Sequence, residues 1–337
     1  MARRRPAEPG SLWHAVTPPW PGLPALAGDE RCDAAVIGAG FTGLSAALHL
    51  AAAGIDTAVV EAAEPGFGAS GRNNGQVIPT LSRADPDRIV DRHGAAGERF
   101  VALLRDCAET LFDLVRRHGI AAEAEQTGWV QPAHSPGRTR VSEARVRQWS
   151  RWGAPVELLD RDQVRAMTGS DAWHGGFWNR SGGHVNPLAL TRGLGMAALA
   201  AGARIFARSP ALSFERAGDG WLVRTGGGTV RAKALVVATN AYSDAFAPAL
   251  APAVAREIVP VPSWQMATPP LDGRLRERIL PGRQAMSDTH GDLHFARWDA
   301  RNRLVTGGAL ALSVNGAERL KPGSRRGSRG SGPRSAT

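Results

Sequence analysis

The apolar positions in residues 33–61, DAAVIGAGFTGLSAALHLAAAGIDTAVVE, change their period twice along the stretch. Continuous apolar runs at residues 34–37 and 57–60 predict two short buried strands. Between them, residues 43–53 carry leucines and small residues at helical spacing, and Gly54 follows as a glycine stop. The pattern predicts strand, tight turn, helix and strand, which is half of a parallel βαβ unit.

Two further helices are predicted downstream. Residues 94–118 have a helical period that ends at Gly119. Asn186 is placed to cap a helix that Pro187 opens and that ends near Gly202. Between these helices the pattern breaks into short pieces, including a patch rich in tryptophan.

The second half of the chain favours strands. Residues 211–238 predict three strands joined by turns at residues 217–220 and 226–228. The last of these strands ends in a continuous apolar run at residues 234–238, which is typical of burial on both faces, so we expect it to rejoin the parallel sheet. Beyond Pro248, short alternating strands and turns predict a second, mostly antiparallel region.

The composition indicates a globular protein. The chain has 337 residues, 43% of them hydrophobic, which is enough for one large or two ordinary domains. Its apolar runs are broken well before the roughly 18 residues that a membrane span requires, and no apolar segment follows the arginines near its start. We therefore expect a cytoplasmic protein with no membrane partner.

The formal net charge of +10 raises the question of a nucleic-acid partner. The excess, however, lies near the two ends, and without those charges and Glu8 the body carries about +3, which is ordinary. We therefore expect no nucleic-acid partner. The charges near the ends are Arg3, Arg4, Arg5, Lys321, Arg325, Arg326, Arg329 and Arg334.

The chain has two cysteines, Cys32 and Cys107. Two cysteines supply neither a disulfide framework nor a four-ligand zinc site, and no metal site is expected. Cys107 shares a helical stripe with four apolar residues, so we expect it to pack in the core. These four residues are Phe100, Leu103, Leu111 and Leu114.

Gly38, Gly40 and Gly43 form the spacing G-x-G-x-x-G, which alone is weak evidence for a ligand. Here the motif follows a predicted strand, opens a predicted helix and precedes Glu61 at the end of the next strand. The glycines would allow a tight turn, close approach of a pyrophosphate and close helix packing, and Glu61 would accept from ribose hydroxyls. A turn without a ligand is the alternative. The predicted site also includes Phe41, Thr42 and Ala62.

A second glycine-rich stretch, GFGASGRNNGQV at residues 66–77, has few apolar side chains. It is either a surface loop or a backbone that lies against a large planar or phosphorylated ligand. NAD has no evident need for such a segment after the acidic residue, whereas the longer FAD must be cradled beyond its pyrophosphate, so FAD is favoured. The groups expected near the pyrophosphate, ribityl chain and flavin are Ser70, Arg72, Asn73, Asn74, Gly75 and Gln76.

Six segments together resemble a known family: DAAVIGAGFTGLSAALHLAAAGIDTAVVEA, GFGASGRNNGQ, GGHVNPLALTRGL, KALVVATNAYSD, SWQMATPPL and SDTHGDLHFARWD. Their order is typical of FAD-dependent oxidoreductases of the D-amino-acid oxidase, glycine oxidase and sarcosine oxidase family, with the gamma-glutamylputrescine oxidoreductase branch most similar. The resemblance covers about residues 11–311. It implies an α/β fold with a Rossmann-like FAD-binding domain, containing a central parallel sheet and a β-meander, and an α+β substrate domain with a mostly antiparallel sheet.

The resemblance also implies a division of the chain. Family members continue past the position of Gly308 with a last stretch of the FAD-binding domain, so we expect this chain to be truncated. The Gly, Ser, Arg and Pro composition near the end cannot build a core and predicts disorder. The expected parts are a leader (1–30), the FAD-binding domain (31–85 and 186–248), the substrate domain (86–185 and 249–315) and a disordered tail (316–337).

Further cofactor contacts come from the resemblance alone. In the family, the segment after the meander runs near the dinucleotide, and the chain around residues 210–212 passes the adenine. Relatives with covalent flavin attach it through a His in the glycine-rich loop or through a late Cys, and this chain has neither, so non-covalent FAD is expected. The implied contacts are Ala211, Leu212, Thr239, Asn240 and Ala241.

The implied activity is oxidation of the C–N bond of a small amine or amino acid, by hydride transfer to flavin N5, to an imine that hydrolyses. Oxygen or another carrier would accept the electrons. The catalytic candidates are His184, His294 and Arg297, and Arg297 could pair with a substrate carboxylate. A structural role is the alternative for each of the three.

Other interpretations stay open at this point. Three tryptophans, Trp173, Trp178 and Trp264, could wall a substrate pocket or pack in the core. A truncated, catalytically inactive flavoprotein fragment with weak or no FAD binding is the main alternative to the enzyme. An interaction protein that acts through its arginine-rich tail is the third.

Overall fold

The computed structural model describes residues 10–20, 22–81, 84–243, 245–247, 250–258, 263–291 and 293–310. The expected leader is described only from Gly10 onward, apart from Pro21, and the expected tail at residues 316–337 lies outside the described residues. Within the described ranges, no helix has both the length and the apolar character needed to cross a membrane.

Fifteen strands and nine α-helices lie within the described part of the chain. The strands are β1 (Glu30–Ile37), β2 (Thr57–Val60), β3 (Gln76–Val77), β4 (Trp129–Pro132), β5 (Val156–Leu159), β6 (Gly176–Asn179), β7 (Gly183–His184), β8 (Arg204–Phe206), β9 (Ala211–Ala217), β10 (Gly220–Thr225), β11 (Thr229–Val237), β12 (Ser263–Ala267), β13 (Ala285–Ser287), β14 (Phe295–Trp298) and β15 (Leu304–Leu310). The helices are α1 (Leu12–Val16), α2 (Phe41–Ala52), α3 (Pro86–His93), α4 (Ala95–Arg117), α5 (Pro136–Arg151), α6 (Arg161–Thr168), α7 (Pro187–Ala200), α8 (Pro252–Glu257) and α9 (Gly273–Arg278).

Six strands form a sheet in the order β8-β2-β1-β11-β10-β9. Strand β1 pairs in parallel with β2 and with β11, and β2 pairs in parallel with β8. Strands β9, β10 and β11 pair antiparallel as a meander. The predicted strand–helix–strand unit, the meander and the return of its last strand to the parallel sheet are confirmed.

Both faces of the parallel strands are buried. Val36 and Val59 lie on one face, in a core cluster with Leu44 of α2. Ile37 and Val60 lie on the other face, in a second cluster. Because successive side chains of a strand point to opposite faces, burial on both sides explains the continuous apolar runs of β1 and β2.

Seven strands form a second sheet in the order β12-β15-β14-β13-β4-β6-β5. Its pairs are antiparallel except for β13 with β4, so the mostly antiparallel region is confirmed. Helices α5 and α6 were not predicted. Helix α6 carries a capping box between Asp160 and Gln163, a sequence signal that was available.

The prediction of a buried apolar stripe on α4 is only partly correct. Phe100 is 43% exposed and Leu103 is 64% exposed, so the prediction that both lie in the core is wrong. Cys107 is half-buried, while Leu111 and Leu114 do pack against the core. The helix turns a neighbouring face inward, and the buried residues of that face are Val101, Ala108, Phe112 and Val115.

The two sheets bring several chain segments to one region. The carboxyl ends of β1, β2 and β11 meet at one edge of the parallel sheet, where ligands bind in open α/β folds. The two-stranded ribbon of β3 and β7 pairs Gln76 with His184. Gln76, near the end of the glycine-rich loop, therefore connects this loop to β7.

Candidate functional site

Glycine shapes the turn between β1 and α2 at two positions. Gly38 has a φ of 105°, and a Cβ there would lie 2.7 Å from the carbonyl oxygen of Ala238. A Cβ on Gly43 would lie 1.9 Å from the carbonyl oxygen of Gly38. Since a real Cβ does not approach an oxygen so closely, β1, β11 and α2 are held at a spacing that only glycine allows.

Ser70 lies over the start of α2. The N–H of Phe41 donates to Ser70 Oγ at 3.0 Å, and a Cβ on Gly40 would lie 2.8 Å from the same oxygen. The amides of the first turn have no carbonyl partner within the helix, and the helix dipole places partial positive charge there. This end of α2 presents bare backbone and a hydroxyl group, which suit a pyrophosphate.

Glu61 follows β2, and backbone amides hold its carboxylate. Oε2 accepts from the N–H of Ala39 at 2.7 Å, and Oε1 accepts from the N–H of Ala63 at 2.9 Å. Burial raises the pKa of Glu61, although these N–H groups act in the opposite direction. Glu61 lines the same cleft as Gly38 and Gly40. In proteins with the G-x-G-x-x-G motif, an acidic residue at this position binds the ribose of the dinucleotide.

One cleft brings together the glycine turn, the loop after β2 and the segment after β11. Most of the predicted cofactor residues from these segments line it: Gly38, Gly40, Glu61, Ala62, Ser70, Ala211, Thr239 and Asn240. Phe41, Thr42 and Gly43 form the first turn of α2 beside it. Among the described residues, the predicted contacts Leu212, Ala241 and residues 72–76 are not part of the lining of this cleft, and Leu212 is 49% exposed.

An apolar wall of the cleft was missed from the sequence. Phe67 and Phe246 meet edge to face with ring centroids 5.7 Å apart. Tyr242, Ala247 and Leu250 continue this wall. The available signals were Phe67 inside a glycine-rich loop, and Tyr242 and Phe246 in the short segment that follows the last strand of the meander.

Arg72 lies against this wall. Its guanidinium donates to the hydroxyl of Tyr242, and its Nε donates to the carbonyl oxygen of Gly68 at 3.2 Å. It also lies over the rings of Phe67 and Tyr242, at 5.6 and 5.8 Å from their centroids. The contacts hold a positive charge beside the cleft.

The loop that follows is pinned by its own side chains. Nδ2 of Asn73 donates to the carbonyl oxygen of Ser70 at 2.9 Å, and its Oδ1 accepts from the N–H of Gly75 at 2.8 Å. Oδ1 of Asn74 accepts from the N–H of Gln76 at 3.0 Å. The left-handed conformation falls on Gly75, whose φ is 73°. The two asparagines thus stabilise the turn through local hydrogen bonds.

Gln76 joins this loop to the second sheet. Its Nε2 donates to the carbonyl oxygen of Met286 at 2.9 Å, and its Oε1 accepts from the hydroxyl of Ser287 at 2.7 Å. Both partners lie on β13. The glycine-rich loop is therefore fixed on one side by the first sheet and on the other by β13.

Arg297 is 1% exposed and lies beneath the loop. It donates through Nε to the carbonyl oxygen of Asn74 at 2.7 Å, through Nη2 to that of Val185 at 2.8 Å and through Nη1 to that of Trp298 at 3.1 Å. Its guanidinium also lies 4.6 Å from the ring centroid of Trp13. This geometry favours a positioning role over contact with a substrate carboxylate, and the catalytic role stays a prediction.

His184 is 1% exposed and lies beside Arg297. Its Nε2 is 3.0 Å from the carbonyl oxygen of Arg283, which fixes the tautomer with the proton on Nε2. Burial and the nearby Arg297 lower the pKa of His184 to about 3. His184 is therefore neutral at ordinary pH, and like Arg297 it supports the loop from below.

His294 is not brought together with the other two catalytic candidates. Its side chain is 55% exposed, and its Nδ1 lies 3.0 Å from Oδ2 of Asp288. Trp173 and Trp178 pack partly buried against a small core cluster, and Trp264 is 42% exposed. The catalytic role of His294 also stays a prediction.

Residues 33–327 match the model of the DAO family, described as FAD dependent oxidoreductase. The chain is 34% identical over 286 residues to gamma-glutamylputrescine oxidoreductase of Escherichia coli K12, covering 84% of this chain and 66% of that protein. It is 30% identical over 322 residues to the probable oxidoreductase OrdL of Rhizobium meliloti, covering 94% of this chain and 73% of that protein. The chain thus spans about two thirds of the length of these relatives.

Solved structures share the fold. Glycine oxidase from Geobacillus kaustophilus superimposes with a TM-score of 0.68 at 21% identity, covering 86% of this chain and 76% of that one. L-proline dehydrogenase from P. horikoshii superimposes with a TM-score of 0.67 at 17% identity, covering 83% of this chain and 70% of that one. With the resemblance and the α/β fold class confirmed, the chain belongs to the DAO family of FAD-dependent oxidoreductases.

Proposed function

We propose that the chain binds FAD non-covalently in the cleft and uses it to oxidise the C–N bond of an amine or amino acid. The observation that carries this proposal is the convergence of Gly40, Ser70 and Glu61 on one cleft in a chain of the DAO family. A Cβ on Gly40 would lie 2.8 Å from Ser70 Oγ, so glycine at this position leaves room for the hydroxyl that accepts from the N–H of Phe41 at the start of α2. These groups fit a dinucleotide.

Three groups of residues would hold the cofactor. The first turn of α2, with Ser70, would bind the pyrophosphate, because amides and the helix dipole favour negative charge. Glu61 would accept hydrogen bonds from ribose hydroxyls. Residues 72–76 would lie along the flavin. Gly75 has no side chain, and the side chains of Asn73 and Asn74 bond to N–H groups of the loop itself, so the backbone could approach the ring closely.

Bound FAD would supply flavin N5 as the hydride acceptor, and the imine product would hydrolyse in water. The chain itself would contribute position and a desolvated surface rather than acid–base chemistry. Phe67, Tyr242 and Phe246 exclude water from one wall of the cleft, and Arg72 keeps a positive charge beside it. Arg297 and His184 would act by holding the loop in place.

The first substrate class to test is polyamine derivatives. It is suggested by the name of the relative at 34% identity, gamma-glutamylputrescine oxidoreductase. N-methyl amino acids and small D-amino acids are the other classes, and oxygen or another carrier would accept the electrons.

Anaerobic mixing with each amine class tests the activity. The flavin-loaded protein should lose its visible flavin absorption with one class and regain it in air. A protein that binds FAD but is reduced by none of the classes would instead be an inactive flavoprotein. Acid precipitation should leave the flavin in solution, and flavin retained in the pellet would contradict non-covalent binding.

Glu61→Gln tests the cofactor site directly. Loss of a charged acceptor should weaken FAD binding by about 10- to 100-fold. Glu98→Gln, an exposed position on α4, is the matched control and should bind FAD like the parent chain. Equal affinity of both variants would show that Glu61 does not contact the cofactor.

A further inference from the structure

A cluster of three possible metal ligands lies apart from the cofactor cleft, in the loop between β13 and β14. Nδ1 of His290 is 2.5 Å from Oδ2 of Asp288, and Nδ1 of His294 is 3.0 Å from the same oxygen. One ligand atom from each of the three residues lies within 4.8 Å of the others. Two imidazoles and a carboxylate thus converge on one point.

The loop backbone holds the carboxylate of Asp288 in place. The N–H groups of His290 and His294 both donate to Oδ1 of Asp288 at 3.0 Å, which directs Oδ2 toward the two rings. Asp288 is 0% exposed. The cluster therefore has a fixed acceptor oxygen at its base.

The histidines are oriented by neighbours and open to solvent. The ring of His134 stacks on that of His290 with centroids 4.0 Å apart, and Nδ1 of His134 lies 2.8 Å from the hydroxyl of Thr289. The side chains of His290 and His294 are 38% and 55% exposed. An ion would approach from the exposed side of the two rings and reach Oδ2 of Asp288, which is buried behind them, as the rings separate.

We propose that Asp288, His290 and His294 bind a divalent transition-metal ion of the zinc class. Imidazole nitrogen favours zinc, copper or nickel over magnesium and calcium, which prefer oxygen ligands. A tetrahedral ion about 2.0–2.1 Å from each donor sets the donors about 3.3 Å apart, so the three side chains need only separate slightly. The proton on each Nδ1 moves to Nε2 or to solvent, and water completes the coordination.

The ion would brace a loop next to the proposed flavin site. Ser287, which donates to Gln76, immediately precedes Asp288. Metal binding would thus fix the end of β13 without contacting the cleft residues. The proposal does not depend on FAD binding, so the two can fail separately.

Zinc titration of the full chain tests the site. The protein is stripped with a chelator, desalted and titrated with zinc chloride by calorimetry, and zinc retained after a second desalting is measured by elemental analysis. One zinc per chain is expected, with a rise in the unfolding temperature. The His290→Gln/His294→Gln double variant should bind at least tenfold more weakly and show no such rise.

The double variant His93→Gln/His118→Gln is the matched control, since both histidines are exposed and lie at the ends of α3 and α4. It should bind zinc like the parent chain. If the cluster variant unfolds, His294→Gln alone serves, because that side chain is the most exposed of the three. Absence of zinc binding by the parent chain, or equal binding by parent and cluster variants, would overturn the proposal.

Discussion

Nη1 of Arg297 lies 3.4 Å from Nδ1 of His184, and both residues are 1% exposed. A guanidinium can lie there because the imidazole is neutral and its Nδ1 lone pair faces the cation. The other donors of Arg297 hold the carbonyl oxygens of Asn74 and Val185. The pair thus links the glycine-rich loop to the segment before α7.

Arg297→Lys should destabilise the fold. A lysine cannot reach the same carbonyl oxygens in a planar fork, so buried acceptors are left unsatisfied, which costs about 2–4 kcal/mol. Urea unfolding measures this loss. Arg99→Lys on the exposed side of α4 is the control and should change stability little. Unchanged stability with a selectively raised KM would instead favour contact between Arg297 and a substrate carboxylate.

His184 should make stability depend on acid. Its pKa is about 3 in the folded chain, against an ordinary value of 6.5, so the unfolded chain binds the proton more readily. The stability that this neutral histidine contributes is complete above about pH 6.5 and is lost as the pH falls toward 3. The expected slope is about 1.4 kcal/mol per pH unit.

Urea unfolding at a series of pH values measures that slope. His184→Gln should reduce the slope of the unfolding free energy against pH by the contribution of one proton. His93→Gln, at an exposed position, should leave the slope unchanged. Parallel pH profiles for the parent chain and His184→Gln would show that His184 is not held neutral.

Gly75→Ala should disturb the loop at its most crowded point. A Cβ there would lie 2.1 Å from the carbonyl oxygen of Val185, and the φ of 73° is unfavourable for alanine. We expect a loss of about 2–4 kcal/mol in thermal or urea unfolding, together with weaker FAD binding. Gly137→Ala, in the first turn of α5 with nothing within 4 Å, is the control and should be neutral or stabilising. Tolerance of alanine at Gly75 would contradict this packing.

Tyr242→Phe should weaken FAD binding without unfolding the cleft. The change keeps the ring but removes the hydroxyl that accepts from Arg72, so the arginine is less well positioned. The expected loss is about 2- to 10-fold in FAD affinity, measured by fluorescence titration. Tyr242→Ala, which also removes the ring from the wall, should lose more. An FAD affinity of Tyr242→Phe equal to that of the parent chain would assign no role to the hydroxyl, and equal losses for the two variants would assign no role to the ring.

The parallel sheet is well predicted from the sequence because the local signals in that region all indicate the same structure. In the stretch that contains Gly38, Gly43 and Glu61, strand period, turn glycines and helix period point to one structure. Helix α5 was not predicted because it is rich in arginine and its apolar stripe is weak. The spacing of apolar residues on α4 predicts that a helix forms but not which of its faces is buried. Apolar residues lie on more than one face of this helix, and tertiary packing decides between them.

The parts of the site that were missed depend on distant contacts. The role of Arg297 is set by carbonyl oxygens of Asn74 and Val185, more than 100 residues away in sequence, and no local pattern reveals them. Asp288, His290 and His294 lie within seven residues, yet only the turn of the loop directs their side chains to one point. Sequence spacing alone gives candidates, and the fold decides which of them meet.

Gly40, Ser70 and Glu61 line the cleft in which we propose that this chain holds FAD. The most direct measurement is the visible absorption spectrum of the purified full chain, before and after heat denaturation, with and without added FAD. We expect a flavin spectrum equivalent to about one FAD per chain, with the flavin released into solution by heat. A colourless protein that takes up no added FAD would contradict it.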